Sequence, residues 1–168
     1  MNLPFRRVGI IYSDWFLPSQ NELIAIYNEI YLYKLTTWHP GGGAFYWSST
    51  ENSATHAQAK GFDNGTDYPN IWKGNSGYIL PCRAFTSVSP SYSLRDIGPA
   101  SGWIFWKSGN NYLETHSTNF AAMTWSSVID TAITTTLAAI GEGQNNTNEI
   151  IAQHGGGGSS AAKYCNDL

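Results

Sequence analysis

The sequence predicts an α+β domain of short helices and short aromatic strands, and three observations carry that expectation. Helix-capping patterns stand ahead of apolar residues at helical spacing in several places. Strand-like runs are brief and are separated by clusters of Gly, Asn, Ser and Pro. Aromatic residues make up 14% of the 168 residues and charged residues only 12%, about half the usual quarter. A chain so rich in rings and poor in charge can fill a core, and its length suits one compact domain or at most two very small ones.

In chain order, Ser19-Gln20-Asn21-Glu22 has the form of a capping box. Leu23, Ile26, Tyr27, Ile30 and Tyr31 follow at helical spacing, predicting a helix over 19–33. His39-Pro40-Gly41-Gly42-Gly43 reads as a loop, Ala44–Ser49 as a strand, and Ala57–Phe62 as a short strand inside an Asn-, Gly- and Thr-rich stretch from 51 to 77. Tyr78–Phe85 reads as one strand, which Pro81 places at an edge or a bulge. Residues 86–96 read as a linker. Gly102–Trp106 and Tyr112–Thr115 read as a hairpin turning at Ser108-Gly109-Asn110-Asn111. Met123–Ile140 fits strand or helix equally, because its threonines are β-branched while its apolar spacing is helical. Asn146-Thr147-Asn148-Glu149 predicts a cap opening a helix through Gln153. Gly155–Gly158 should break it, and Ser159 or Ser160 should cap a last helix over 161–168.

Nine Lys and Arg against twelve Asp and Glu leave a net charge of −3. That argues against a nucleic-acid-coating protein, which needs clustered basic charge to displace counterions. No segment approaches the apolar length of a membrane span, so no membrane insertion is expected. Near the start only Val8–Tyr12 forms an apolar run, too short for a signal-peptide core. The localisation is left open between cytoplasm, cell or particle surface and secretion.

Several strings resemble a bacterial family of unknown function that includes the C-terminal domain of collagen-like adhesins. Asp14-Trp15-Phe16-Leu17-Pro18-Ser19-Gln20-Asn21-Glu22-Leu23 is similar to its DWFLPSxxEL motif, Tyr46–Glu51 to its YWSSTE motif, and Cys82-Arg83-Ala84-Phe85 to its closing VRAF strand. Asp96–Phe105 resembles the family's opening DxGPAGGxIF, and Ala161–Leu168 its AAKLCxDL segment. The resemblance implies a C-type lectin fold, two helices on small twisted antiparallel sheets, with its parts in permuted order. Residues 1–85 match the family's second half, 96–168 its first half, and 86–95 join them within a single domain over 1–168. That reading expects the family's first and last strands to be antiparallel neighbours. Two spliced partial domains, or halves completed by a partner chain, are the alternatives. The resemblance also implies a disulfide between Cys82 and Cys165; by themselves the two cysteines read as buried thiols. Trp15, Trp47, Phe62, Trp103 and Phe105 fall in or beside the motif strings and read as core, and Asp14 and Glu51 as residues that hold loops by hydrogen bonds.

The chemistry-bearing residues form no catalytic pattern. His39, His56, His116 and His154 make no metal-binding helix pair, no nucleophile or phosphate-loop motif occurs, and His154 with Cys165 is the only Cys–His pair worth naming. No cofactor is expected. Tyr68-Pro69-Asn70 lacks the carboxylate or amide that sugar-binding C-type lectins place before Pro to hold Ca²⁺. Asp63 and Asp67, the oxygen ligands a cation would find nearby, read as turn formers.

Residues 52–78 stand out instead. Small polar side chains interleaved with rings have the composition of antibody recognition loops. The candidate ligand-binding residues are Asn52, Ser53, Thr55, His56, Asp63, Asn64, Asp67, Tyr68, Asn70, Trp72, Asn75 and Tyr78. The expected function is a non-enzymatic display or adhesin-like domain that binds a protein or glycan on a cell or particle surface. A sharper form is a variable protein of a diversity-generating retroelement: Asn, Ser, Thr, His, Asp and Tyr, Ser76 included, are what adenine-directed mutation of Asn-type codons yields. An oligomeric structural assembly domain of a fibre or particle, and an enzyme of the formylglycine-generating type, are the alternatives.

Overall fold

The computed structural model describes residues 11–38, 42–154 and 158–168. Its architecture is α+β. The strands are β1 (Phe45–Glu51), β2 (His56–Gly61), β3 (Asp67–Trp72), β4 (Ser76–Ile79), β5 (Cys82–Thr86), β6 (Ile104–Ser108), β7 (Asn111–Thr115) and β8 (Phe120–Thr124). They form a five-stranded sheet in the order β3-β2-β1-β4-β8 and a three-stranded sheet in the order β5-β7-β6. All ladders are antiparallel except β1 with β4, which touch in parallel at Tyr46 and Tyr78.

Helix α1 (Gln20–Ile26) starts on the expected capping box: Ser19 Oγ accepts from Glu22 N–H, and the Glu22 carboxylate accepts from Ser19 N–H. It continues as a π turn over Tyr27–Tyr31, with Leu32 N–H reaching back to Tyr27 C=O. The widened turn lays Tyr27 and Tyr31 against each other and against Phe62. Lys34, at φ 56, then turns the chain back in the left-handed conformation.

Strand β1 lies inside the five-stranded sheet and is buried on both faces. Tyr46 points into a core with Leu23, Ile26, Ile30, Phe62, Leu80 and Phe105, and Trp47 into a second core with Leu17, Ile79, Trp125, Ile150 and Ala162. The hydroxyls that follow hold chain rather than fill space. Ser48 Oγ donates to Gln58 C=O, Thr50 Oγ1 to Leu137 C=O, and the Trp125 indole donates to Ser48 C=O. The last two bonds strap the segment 125–142 over the sheet, and the stretch Met123–Ile140 that fitted both periods equally follows neither: Met123 and Thr124 end β8, and the rest has neither helix nor strand.

Four sequence expectations need correction. Tyr78–Phe85 is two strands in two sheets. Pro81 has no N–H for a ladder, so the chain leaves β4 at Ile79 and re-enters order at Cys82, which pairs with Thr115. The second correction is helix α2, which spans Gly143–Gln153 and so begins before Asn146. Asn146 lies inside it, donating to Leu137 C=O and Ser49 Oγ and accepting from Leu137 N–H. Thirdly, β5 and β6 are not neighbours, because β7 stands between them. Finally, Trp103 is only half-buried, whereas Trp15, Trp47, Phe62 and Phe105 are core as expected.

Helix α3 (Ala161–Asn166) is capped by Ser160, whose Oγ accepts from Lys163 N–H. Residues 39–41 and 155–157 of the two expected glycine loops lie outside the described residues. The segment after β5 packs rather than dangles: Tyr92 lies edge-on to both Phe85 and Tyr112, and Lys107 Nζ donates to Tyr92 C=O.

The two segments on either side of that connection interlock. β4 pairs with β8 and β5 with β7. Arg83 binds Asp14 in a two-pronged contact of 2.7 and 2.9 Å and Glu114 at 2.6 Å, confirming Asp14 as a loop holder. Glu22, fully buried, also accepts from Gly141 N–H at 2.8 Å. Burial raises the Glu22 carboxyl above its usual 4.5, and the backbone donors only partly offset this. A carboxyl raised in the native state holds its proton where the unfolded chain has lost it. Its contribution to stability is therefore complete below the unfolded value and is lost as pH rises through the folded one. In urea titrations from pH 4 to pH 7, Glu22→Gln should gain steadily relative to wild type; a pH-independent difference would contradict this.

Candidate functional site

The twelve predicted site residues do not form one surface. They divide between the two ends of the β2–β3 hairpin, with Tyr78 apart from both. The stretch expected to be loop contains a strand, β3, at the edge of the five-stranded sheet. Its sequence Asp67-Tyr68-Pro69-Asn70-Ile71-Trp72 carries turn formers and a proline that an edge strand tolerates and a central one does not.

One group gathers where β2 begins and β3 ends. His56 pairs with Trp72 across the ladder. Asn52 Nδ2 donates to Asn70 Oδ1 at 3.0 Å, and His56 Nδ1 lies 2.8 Å from Thr55 Oγ1 and 3.5 Å from Ser53 Oγ. Asn75 N–H closes the adjoining turn on Trp72 C=O. Trp72 itself is 45% exposed. Its ring lies over Gly74, where an added Cβ would fall 2.4 Å from the indole. The glycine lets the ring lie there; a side chain at this position would push the ring off its seat. The next residue, Lys73, is fully buried, with its Nζ donating to the Glu51 carboxylate and to Ala54 C=O. The patch is thus an exposed indole seated on a glycine and flanked by amides, hydroxyls and one imidazole, with a buried ion pair at the next residue in the chain.

The second group lies at the hairpin turn. Asp63 accepts from Gly43 N–H at 2.7 Å, Asn64 Nδ2 donates to Tyr68 Oη, and Asp67 pairs with Lys60 at 2.7 Å. Lys60 Nζ also sits 4.4 Å from the centre of the Tyr27 ring. The two carboxylates considered for a cation are therefore engaged with an amide and an ammonium. Among the described residues no group of three or more His, Cys, Asp or Glu is arranged to hold a metal. Tyr68 pairs with Ala59 and packs against the second core, so it faces away from Trp72. Tyr78 packs against the first core, with its ring centre 6.0 Å from that of Tyr46. Tyr68, Trp72 and Tyr78 therefore lie in three different places. Strict alternation would put Tyr68 and Trp72 on one face of β3; the bulge that opposes Pro69 and Asn70 to Gln58 turns them apart, a signal invisible while 51–77 read as loop.

Cys82 and Cys165 are free thiols, both completely buried. Burial pushes both thiols well up, and for Cys82 the neighbouring Glu22 and Cys165 charges add to it. A thiol kept protonated is a poor nucleophile. Neither should react with a chromogenic disulfide reagent in the folded protein, and both should react fully in denaturant; rapid labelling of the native chain would contradict their burial. His154 has both ring nitrogens buried without a hydrogen-bond partner, and its pKa is lowered, first by burial and then by Lys163.

No helix among the described residues is long and apolar enough to cross a membrane. No family model, characterised protein or solved structure matches this chain.

Proposed function

We propose that this protein is a non-catalytic ligand-binding or display domain that recognises a protein or glycan surface through the Trp72 end of the β2–β3 hairpin. The observation that carries the reading is Trp72, a large ring left exposed and laid over Gly74, on a strand end whose next residue, Lys73, is buried. Exposed tryptophans on rigid supports are the commonest energetic anchors of interfaces, because little conformational entropy is lost on contact. Asn52, Ser53, His56, Asn70 and Asn75 supply the hydrogen-bonding rim.

The fold is read as a C-type-lectin-type arrangement in permuted order. Its support is the resemblance of the motif strings together with the way residues 11–85 and 96–168 complete each other's sheets. Diversification by a retroelement is the sharper form of the proposal. Asn52, Ser53, Asp63, Asn64, Asp67, Asn70, Asn75 and Ser76 are all exposed, so substitution there spares the core, as a variable face requires.

The test is a glycan and cell-surface binding screen comparing wild type with Trp72→Ala, Tyr68→Ala and Tyr78→Ala as separate variants. Trp72→Ala should weaken binding roughly thirtyfold, the scale of an interface hot spot, with Tyr68→Ala and Tyr78→Ala near wild type. Loss confined to Tyr78→Ala would move recognition to the Tyr46 side of the sheet. No binding by any form, with a defined oligomer in solution, would favour the assembly reading.

A further inference from the structure

We infer a second binding site, away from the hairpin: a cavity of about 390 Å³ between the turn after the π helix and the 117–119 loop, which takes a ring-bearing carboxylate. Its walls include Lys34, Thr36, Trp38, Trp103 and Asn119, none of them in the 52–78 stretch.

Three of these wall residues, Lys34, Thr36 and Asn119, carry polar groups that the fold itself leaves unused. Thr36 Oγ1 is buried and has no hydrogen-bond partner. Buried hydroxyls are normally satisfied, and an acceptor atom of a ligand would satisfy this one. The other four lysines donate to partners within the chain: Lys60 to Asp67, Lys73 to Glu51, Lys107 to Tyr92 C=O and Lys163 to Asp167. Among the described residues Lys34 has no such partner, and no Asp or Glu lines the cavity. A carboxylate placed there meets an unpaired ammonium and an orphan hydroxyl with no like charge to oppose it.

The aromatic walls set the rest of the ligand. Trp38 is buried with its indole N–H committed to Ser117 C=O at 3.3 Å, so it serves as a fixed wall. Trp103, the one motif tryptophan that the core does not swallow, is half-buried and offers ring surface. Asn119 gives its N–H to Tyr46 Oη at 3.0 Å, leaving the amide oxygen as an acceptor for a ligand donor. A flat or puckered ring against Trp103, with one carboxylate reaching Lys34 and Thr36, uses every feature. The ring can belong to an aryl acid or to a cyclic sugar acid, since both present the same combination.

Tryptophan fluorescence and calorimetric titrations of the full chain test this, with phenylacetate and glucuronate as acids and phenylacetamide and methyl glucoside as neutral counterparts. At least one acid should bind about tenfold or more tightly than its neutral counterpart, the scale of one charge-assisted hydrogen bond. Which acid binds identifies the source of the ring. Lys34→Met should remove the preference for the acid while near-ultraviolet circular dichroism stays native, and Trp103→Ala should weaken acid and neutral alike. Trp72→Ala should leave these titrations unchanged, which separates this site from the hairpin. Equal binding of acid and neutral forms, binding of inorganic phosphate as tight as that of the acids, an unaffected Lys34→Met, or no binding of any probe would overturn the inference.

Discussion

Replacing Lys73 by Ala should destabilise the protein by about 3–5 kcal/mol, because it strands a buried carboxylate. Lys73 is fully buried, and its side chain donates to Glu51, to Ala54 C=O and, at 3.3 Å, to Thr131 C=O. Its ammonium also lies 4.8 Å from the centre of the Trp125 ring. The other Glu51 oxygen accepts from Ile133 N–H at 2.7 Å. One ion pair thus ties β1, the end of β3 and the irregular segment 125–142 together, which makes Glu51 the loop holder its motif position suggested. The loss is large against a typical total stability of about 5–15 kcal/mol. Urea denaturation measures it, and the pairing of Lys73→Met with Glu51→Gln distinguishes the charge from the packing. The neutral Gln can still accept from Ile133, so the double variant should be clearly more stable than the sum of the single losses predicts. A Lys73→Ala cost below about 1 kcal/mol, the range of an exposed pair, would mean that the pair is solvated.

Gly102→Ala should be at least as damaging, for a steric reason. A Cβ at Gly102 would stand 1.6 Å from the carbonyl oxygen of Thr115 and 2.8 Å from its carbon, both backbone atoms of β7. No rotamer change relieves a clash with backbone. The neighbouring bonds all depend on the same approach: Thr115 N–H donates to Trp103 C=O at 3.0 Å, Trp103 N–H to Thr115 Oγ1 at 3.1 Å, and Gly98 N–H to Gly102 C=O at 2.8 Å. The expected loss exceeds about 4 kcal/mol, the range reserved for gross core disruption, and the variant should be recovered largely unfolded. Gly42→Ala is the control, because nothing lies within 4 Å of the Cβ it would add. It should keep the wild-type midpoint. A Gly102→Ala protein with a midpoint equal to that of Gly42→Ala would show that β7 is free to move away.

Local signals were legible where the chain decides alone. The Ser19–Glu22 box, the hairpin at 108–111 and the Ser160 cap follow from residue chemistry within a few positions, and the structure places them where those residues put them. The Asn146 pattern shows the limit. Its side chain looked like a cap and instead satisfies Leu137, nine residues back, and Ser49, 97 residues back. Of the candidate site, the polar and aromatic composition of 52–78 was readable, but its division was not. Facing in a strand depends on register, and the register of β3 is set by its pairing with β2, including the irregularity between Ala57 and Ala59. The Trp103 cavity was hidden for a similar reason. Its walls come from the turn after the π helix, from just before β6 and from the loop before β8, which no sequence period connects.

By itself the sequence determined the class of the protein: α+β, low in charge, rich in rings, with its helix caps and turns in place, because those properties reside in neighbouring residues. Tertiary structure alone decided which tryptophan is exposed, which lysine is buried with a partner and which is left without one. Trp47, Trp72 and Trp103 are the same side chain in three fates: buried, exposed and half-buried. Burial is a property of what packs against a residue, and here the packing partners come from segments brought together only when the sheets close.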